Sequence, residues 1–358
     1  MKKIVVIFGG ESVESEVSII TGVLISNGLK KHFEVVPIFV SKGGDWFTGE
    51  ELFNIESYKS LDEKSLTKVC VLSSSNLLYK LKKGKLKELF PISLVVNCMH
   101  GGVGENGAIK GLFDMMKVPS LSSPILPASL SMDKICTKIF LKGLNIEHLP
   151  YFVGEEDKNP KLKFPIIVKP NSLGSSIGIT KVSSLTEYKM ALLKAKRYDE
   201  RVICEKCLEN FLEINVAVYG IKDKIVVSKP ENPIVNGEFL DFDSKYASGE
   251  RVFPANISKE LKLRINSIAK KIYSSLNFEG IIRIDFLVKD DKIFVNEINS
   301  VPGSLSYYLF CDTLEDFSLL LKDLVLDCQE KFNKRQTLVN SFSSSILNLK
   351  GTKGQKHL

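Results

Sequence analysis

The chain has 358 residues, 44% of them hydrophobic and 25% charged, which suits two or three globular domains. No run reaches the roughly 18 apolar residues that a membrane span needs, so no membrane partner is expected. The net charge of +7 is scattered, with local clusters at 80–87 and 350–356 and no aromatic–basic interleaving, so no nucleic-acid partner is expected either.

In chain order, "KIVVIFGG" (3–10) is a short apolar run ending in glycines, a first strand and not a signal peptide, and the expected location is the cytoplasm. Apolar residues at Val17, Ile20, Val23 and Leu24 have helical period across 15–31. Strands follow at 33–40 and 92–98, and a helix at 106–117. Residues 43–90 are polar and read as an insertion with small elements of its own. The alternation predicts a doubly wound parallel sheet.

A helix over 129–146, a strand at 165–170, a Gly/Ser loop returning as a strand by 182, a helix at 184–199 and a strand at 201–208 make a small α+β unit. From 211 an antiparallel sheet is expected, with helices at 258–276 and 314–332. The polar connection 231–256 is long for a loop inside a domain, a length that points to function. These readings divide the chain into 1–122, 123–208, 209–335 and a polar tail, 336–358.

Seven cysteines in irregular spacing read as reduced thiols. Cys204 and Cys207 form C-x-x-C, but no second ligand pair for zinc is present, and the stretch reads as a strand entering a turn. Cys204 is expected to be buried and Cys207 to be an ordinary wall residue.

The chemistry concentrates in "IIRIDFLV" (281–288) and "VNEINSVPG" (295–303). Positions two apart share a strand face, so Glu297 and Asn299 lie side by side, and Asp285 joins them if the register allows. Three hard oxygen donors suit Mg²⁺, which takes one or two carboxylates and completes its shell with phosphates and water. A polar surface hairpin is the competing reading; apolar residues at the alternate positions weaken it. A two-residue turn at Asp290-Asp291 would set Asp285 opposite Asn296. A three-residue turn, Asp290–Lys292, sets Asp285 opposite Glu297 and Arg283 opposite Asn299, with Asn296 pointing off the site. The second register is the one expected.

"NSLGSSIG" (171–178) offers serine hydroxyls and flexible amides just after Lys169, which suits phosphate oxygens although it is no Walker A loop. "MHGGVGENG" (99–107) lies where open α/β sheets bind ligands. "FGGESVESEVS" (8–18) lacks G-x-G-x-x-G, which disfavours a nicotinamide dehydrogenase, and Glu14 precedes a helix, as a cap or as a partner for a substrate amine.

With "SMDK", "EKCLENFLEINVAV" and "DSKY", this ordered set resembles the D-alanine–D-alanine ligases of the ATP-grasp superfamily over about residues 3–325. The resemblance implies a three-domain ATP-grasp fold, α/β then α+β. It implies an enzyme that joins two D-alanines through an acyl phosphate for peptidoglycan precursors, with ATP and two Mg²⁺ (Mn²⁺ as an alternative), as a homodimer.

It also implies roles. Lys134 and Lys169 meet the phosphates, with Ser175 and Ser176 over them and Lys245 at the γ-phosphate. Glu205, Lys206, Cys207 and Leu208 line the adenine and Glu213 the ribose. Glu14, with Ser175 and Tyr246, holds the first ammonium, and His100 and Gly101 lie near the substrate. Arg283 and the Gly303 amide stabilise the oxyanion or the second carboxylate. Asp285, Glu297 and Asn299 hold the metals. The loop 231–256 is expected to close and exclude water.

Departures from the family pattern are Asn106 for Asp, Lys110 for Gln, "PSLSS" for a Tyr-Thr-Gly-Ser stretch, and Tyr308 for the serine that meets the acceptor's carboxylate. They leave open another D-amino or D-hydroxy acid as acceptor. A non-catalytic ATP-binding protein is disfavoured by the complete metal and phosphate sets.

Overall fold

The computed structural model describes residues 2–234 and 250–344. In β1 (Lys3–Gly9) the run Ile4–Phe8 is at most 1% exposed. A strand apolar on both faces needs cover on both, which parallel neighbours and crossover helices supply. β2 (Glu34–Val40) flanks it in parallel, and α1 (Ser15–Leu29) connects the two.

Residues 43–90 do hold small elements, but these continue the sheet. β3 (Trp46–Thr48), β4 (Thr67–Val71), β5 (Leu77–Lys82) and β6 (Lys85–Pro91) extend it antiparallel from β2. The cause is an apolar minority in a polar stretch: Val69 and Leu78 are buried in one cluster with Ile38 and Phe113. On the other side of β1 come β7 (Leu94–Asn97) and β8 (Ser120–Leu121), both parallel.

The helix expected over 106–117 is α3 (Ala108–Met115), preceded by a short α2 (Gly102–Glu105); Gly107 separates them, with φ +93° and a Cβ that would lie 3.0 Å from the Ile125 backbone. The single helix expected over 129–146 is corrected to two, α4 (Ile125–Met132) and α5 (Lys134–Gly143). Between them Asp133 leaves helical geometry and accepts from the Cys136 amide at 2.8 Å. An aspartate cap restarts a helix more readily than it continues one, and the restart puts Lys134 at the first helical position.

The second sheet has the order β11-β10-β12-β9, from β9 (Tyr151–Val153), β10 (Ile166–Pro170), β11 (Thr180–Val182) and β12 (Val202–Lys206). α6 (Leu185–Ala195) covers it through Tyr188 and Leu192. The third sheet begins with β13 (Leu212–Ile221) and β14 (Lys224–Val227). β15 (Asn232–Pro233) and β16 (Arg251–Val252) pair antiparallel and bring together the two ends of the polar connection. Residues 235–249, with Lys245 and Tyr246, lie outside the described residues, as does the tail beyond 344. α7 (Lys259–Ser275) packs Ile265, Ala269 and Ile272 on the third sheet. α8 (Leu314–Gln336) returns to the first sheet, where Phe317 and Leu321 share a cluster with Ile4 and Ile25.

β17 (Ile281–Lys289) and β18 (Lys292–Asn299) complete the third sheet. Asp285 lies opposite Glu297 and Arg283 opposite Asn299, as expected, but not by the expected route. The turn is the two-residue one: Lys289 pairs with Lys292, and Asp290 and Asp291 take φ of 48° and 60°, the backbone of a type I′ hairpin. Phe286 then pairs with Val295, and the register shifts between Asp285 and Phe286. Asn296 is the extra residue of a bulge, which restores the shared face. The expectation that Asn296 points away is overturned: Asn296 lines the same cavity as Glu297.

Candidate active site

A cavity of about 660 Å³ opens between the second and third sheets. Lys134, Lys169, Ser176, Glu205, Lys206, Cys207, Leu208, Glu213 and Glu297 all line it. Lys134, at the start of α5, donates to the Leu173 carbonyl at 2.7 Å, and burial holds its pKa below the usual lysine range. Lys169 leaves β10 and meets Glu205 Oε2 at 2.8 Å; Lys138, from α5, meets Oε1 at 2.9 Å. Burial alone would raise the Glu205 pKa, but Lys138 and then Lys169 outweigh it and hold the carboxyl at about 2. Glu213 and Leu287, partners across β13 and β17, form part of the far wall. None of the seven cysteines is in a disulfide; Cys204 is buried and Cys207 is half-buried at the wall.

The loop after β10 carries the cavity into a second group of residues. Ser175 and Ser176 both have positive φ, 54° and 58°. Ser175 is buried and donates a short hydrogen bond to the Glu14 carboxylate. A Cβ at Gly174 would lie 2.8 Å from both Glu14 oxygens, so a side chain there would displace the carboxylate or the loop. On the other side of Glu14, Gly101 has φ +67° and a Cβ there would lie 3.1 Å from Glu14 Oε2. His100 is buried, and burial and then the charge of Arg283 lower its pKa to about 3. Arg283 grips Asp285 through Nε at 2.7 Å and Nη2 at 2.8 Å, and the Asn299 amide donates to Asp285 Oδ2 at 3.2 Å. Gly303 opens a short 3₁₀ segment, Gly303–Leu309, that contains Tyr308. Burial raises the Tyr308 pKa.

The geometry thus joins a lysine-lined cavity to a Glu14–Ser175–Arg283 corner, and sequence comparison agrees on what such a chain is. The D-ala D-ala ligase N-terminus family model matches residues 3–123, and the D-ala D-ala ligase C-terminus model matches 152–328. A D-alanine–D-alanine ligase of Thermosipho melanesiensis is 35% identical, over 98% of this chain and 99% of its own length. The chain belongs to the D-alanine–D-alanine ligase family. It is therefore an enzyme, and its activity is the ATP-dependent ligation of D-alanine that serves peptidoglycan synthesis.

The fold agrees with that of the D-alanine–D-alanine ligase from Helicobacter pylori, with a TM-score of 0.77 and 29% identity over 91% of this chain and 98% of that one. The VanG D-Ala:D-Ser ligase from Enterococcus faecalis is similar to the same degree, with a TM-score of 0.78 and 28% identity over 91% and 99%.

Ligases of this family generally use a divalent metal, and the donors here fit one. Asp285 is 2% exposed and faces Glu297 directly, with the Asn299 amide beside it. Among the described residues no group of three His, Cys, Asp or Glu gathers. Two carboxylates and an amide suit a hard cation whose shell substrate phosphates complete, better than an all-protein cage.

Four residues of this corner escape a reading of the sequence. Lys138 is 1% exposed and follows Lys134 by one helical turn, a spacing that could have flagged it. Glu105 takes the amides of Gly101 at 3.0 Å and Val301 at 3.1 Å, and burial, then Glu14, raises its carboxyl pKa to about 7. Arg251 lies 4.4 Å over the Tyr308 ring and meets Glu231 at 3.0 Å. Thr21, buried in α1, touches both His100 and Ser304. Arg251 and Thr21 depend on partners distant in sequence and carry no local signal; Glu105 has one near partner, Gly101, but its contact with Val301 is 196 residues away.

Proposed function

We propose that the cavity between the second and third sheets takes ATP, and that the corner at Glu14 and Arg283 takes the two amino acids. The observation that carries this division is Glu297: it lines the cavity and faces Asp285, which Arg283 grips. Lys134 and Lys169 would neutralise phosphate oxygens, with Ser175 and Ser176 above them and Lys245 at the γ-phosphate. The backbone of Lys206, Cys207 and Leu208 would receive adenine, and Glu213 the ribose. The Glu205 carboxylate, held between two buried lysines, would act chiefly by fixing Lys169.

Asp285, Glu297 and Asn299 would hold two Mg²⁺, or Mn²⁺ in their place. Bound there, the ions would offset the charge that develops as phosphate moves to the first carboxylate. The protein's own groups then act on the amino acids. Glu14, oriented by Ser175 and Tyr246, would hold the first ammonium; His100 and Gly101 would lie near the substrate. Arg283 and the Gly303 amide would stabilise the oxyanion when the second amine adds.

A cytoplasmic homodimer belongs to the same reading. No described helix is long and apolar enough to cross a membrane. Met115 and Leu126, on the contacting helices α3 and α4, are 70% and 67% exposed and offer apolar surface for a second copy.

A second acceptor remains in view on one observation: Tyr308 is covered by Arg251, so an aromatic–cation pair occupies the place where the family pattern has a serine. ADP release with purified protein against a panel of D-amino and D-hydroxy acids, with product masses, decides between them. D-alanyl-D-alanine as the dominant product supports the first reading. A different dominant product supports the second, and no amino-acid-dependent ADP release refutes both.

A further inference from the structure

The acceptor side of the corner rests on an unusual piece of backbone. Ser304, Leu305 and Ser306 follow Gly303 with φ of 51°, 49° and 49°, a run of three non-glycine residues in the left-handed region. Each such residue is sterically disfavoured in this region, so the surroundings must hold the turn in place. Two side chains of the first sheet's loops and helices do so from outside. Glu105 accepts the Val301 amide, and Thr21 Oγ1 accepts the Ser304 amide at 2.9 Å.

Thr21 Oγ1 also lies 3.0 Å from His100 Nε2. Thr21 is fully buried and His100 is 4% exposed. The Thr21 hydroxyl has already taken a donor in Ser304, and among the described residues His100 Nε2 is the sole acceptor for its proton. Were Nε2 protonated instead, the hydroxyl hydrogen would be buried without a partner, which is disfavoured. The imidazole is neutral, because burial and Arg283 disfavour the cation, so its one proton sits on Nδ1. Nδ1 has no hydrogen-bond partner among the described residues, and His100 keeps 4% of its surface exposed.

We infer that Thr21 is a positioning residue of the acceptor site: its hydroxyl pins the left-handed turn at Ser304 and fixes His100 as the Nδ1–H tautomer, so that His100 meets substrate as a hydrogen-bond donor and not as a base. A carboxylate or acyl oxygen could accept from Nδ1–H. An ammonium could not lose its proton there, so the group that deprotonates the second amine is another one. The kinetic part of this inference rests on the ligase reading above; the tautomer does not.

The chain has four histidines, so ¹⁵N spectra of histidine-labelled protein are tractable, with His100→Asn to identify the signal. The expected wild-type result is an unprotonated Nε2 and a protonated Nδ1. Thr21→Val should mix the tautomers and Thr21→Ser should restore the wild-type one. A protonated Nε2 in the wild type overturns the inference without reference to activity. In the ligation assay, Thr21→Val should raise the KM for the second D-alanine about tenfold, the worth of one buried hydrogen bond, with ATP binding near wild type and the protein folded, though at a lowered melting temperature. Thr21→Ser should stay within about twofold, since it keeps the hydroxyl. An unchanged acceptor KM in a folded Thr21→Val protein overturns the positioning role. If the wild type makes no dipeptide from D-alanine, the ligase reading has failed, and the spectra still decide the tautomer.

Discussion

Asp285 and Glu297 face each other across β17 and β18 because Asn296 stands as an extra residue between Val295 and Glu297. Without the bulge, the two-residue turn would set Asp285 against Asn296 and send Glu297 to the other face. The hairpin thus combines a tight turn, which needs positive φ at Asp290 and Asp291, with a site that needs the opposite parity. The bulge reconciles them and turns Asn296 toward the cavity as well. Bulges beside active sites commonly re-aim a side chain in this way.

The pairing predicts the behaviour of a charge-removing change. Glu297→Gln keeps the shape of the side chain and removes half of the negative charge that the pair presents. Ligation should fall at least about a hundredfold, the scale for losing a group that stabilises a transition state. The melting temperature should stay close to wild type. Assays of ADP release at saturating Mg²⁺ and ATP check this; near-normal turnover would remove Glu297 from the metal site.

Gly174 tests the corner at Glu14 independently of any metal. An alanine Cβ there would sit 2.8 Å from both carboxylate oxygens, against a side chain already held by Ser175. Either Glu14 or the loop must move. Gly174→Ala is expected to raise the KM for the first D-alanine about tenfold or more, the scale of one charge-assisted hydrogen bond. Denaturant midpoints should barely change, because the loop lies outside the main apolar clusters. An unaltered KM would show that Glu14 does not hold the first amino acid.

Glu205 links the nucleotide wall to pH. Its folded pKa of about 2 lies below the unfolded value of 4.5, so the unfolded chain binds the proton first on acidification. The stabilisation is complete above about pH 4.5 and is lost as pH falls toward 2. A shift of that size is on the order of 3 kcal/mol. Glu205→Gln should be destabilised by about this amount at pH 7, because it leaves Lys138 and Lys169 buried without their anion. The gap between variant and wild type should narrow by pH 3. Urea melts at the two pH values measure both, and a gap independent of pH would refute the ion-pair account.

Much of this site is legible in sequence because its residues announce themselves in pairs. Alternation in two strands gave Asp285, Glu297 and Asn299 a common face, and glycine and serine after Lys169 marked the loop that lines the cavity and reaches Glu14. Asp133 could have been read as a cap within "SMDK", and the helix break follows from it. Thr21 could not be read, since an apolar-flanked threonine in a helix carries no sign of partners 79 and 283 residues away. The bulge is similarly silent: both turn lengths were open on the sequence, and the choice was made by packing, with Val295 and Ile298 both buried in the core of the third sheet.

The acceptor end offers the sharpest separation of readings. Arg251 stacks on Tyr308 and is held by Glu231, whose side chain is 8% exposed. Tyr308 also lies within electrostatic reach of Arg283 and Asp285. If this pair receives the acceptor's carboxylate, Arg251→Ala should raise the KM for the second D-alanine by about fivefold, the worth of roughly 1 kcal/mol for a partly exposed cation–π pair. Tyr308→Ser should raise it comparably, because a lone serine leaves the Arg251 guanidinium without its aromatic face. The double variant should cost less than the two single costs combined, because residues in contact share one interaction. Strict additivity in the double-mutant cycle, or a Tyr308→Ser enzyme that binds the acceptor better than wild type, would show that Arg251 and Tyr308 do not act together on the acceptor.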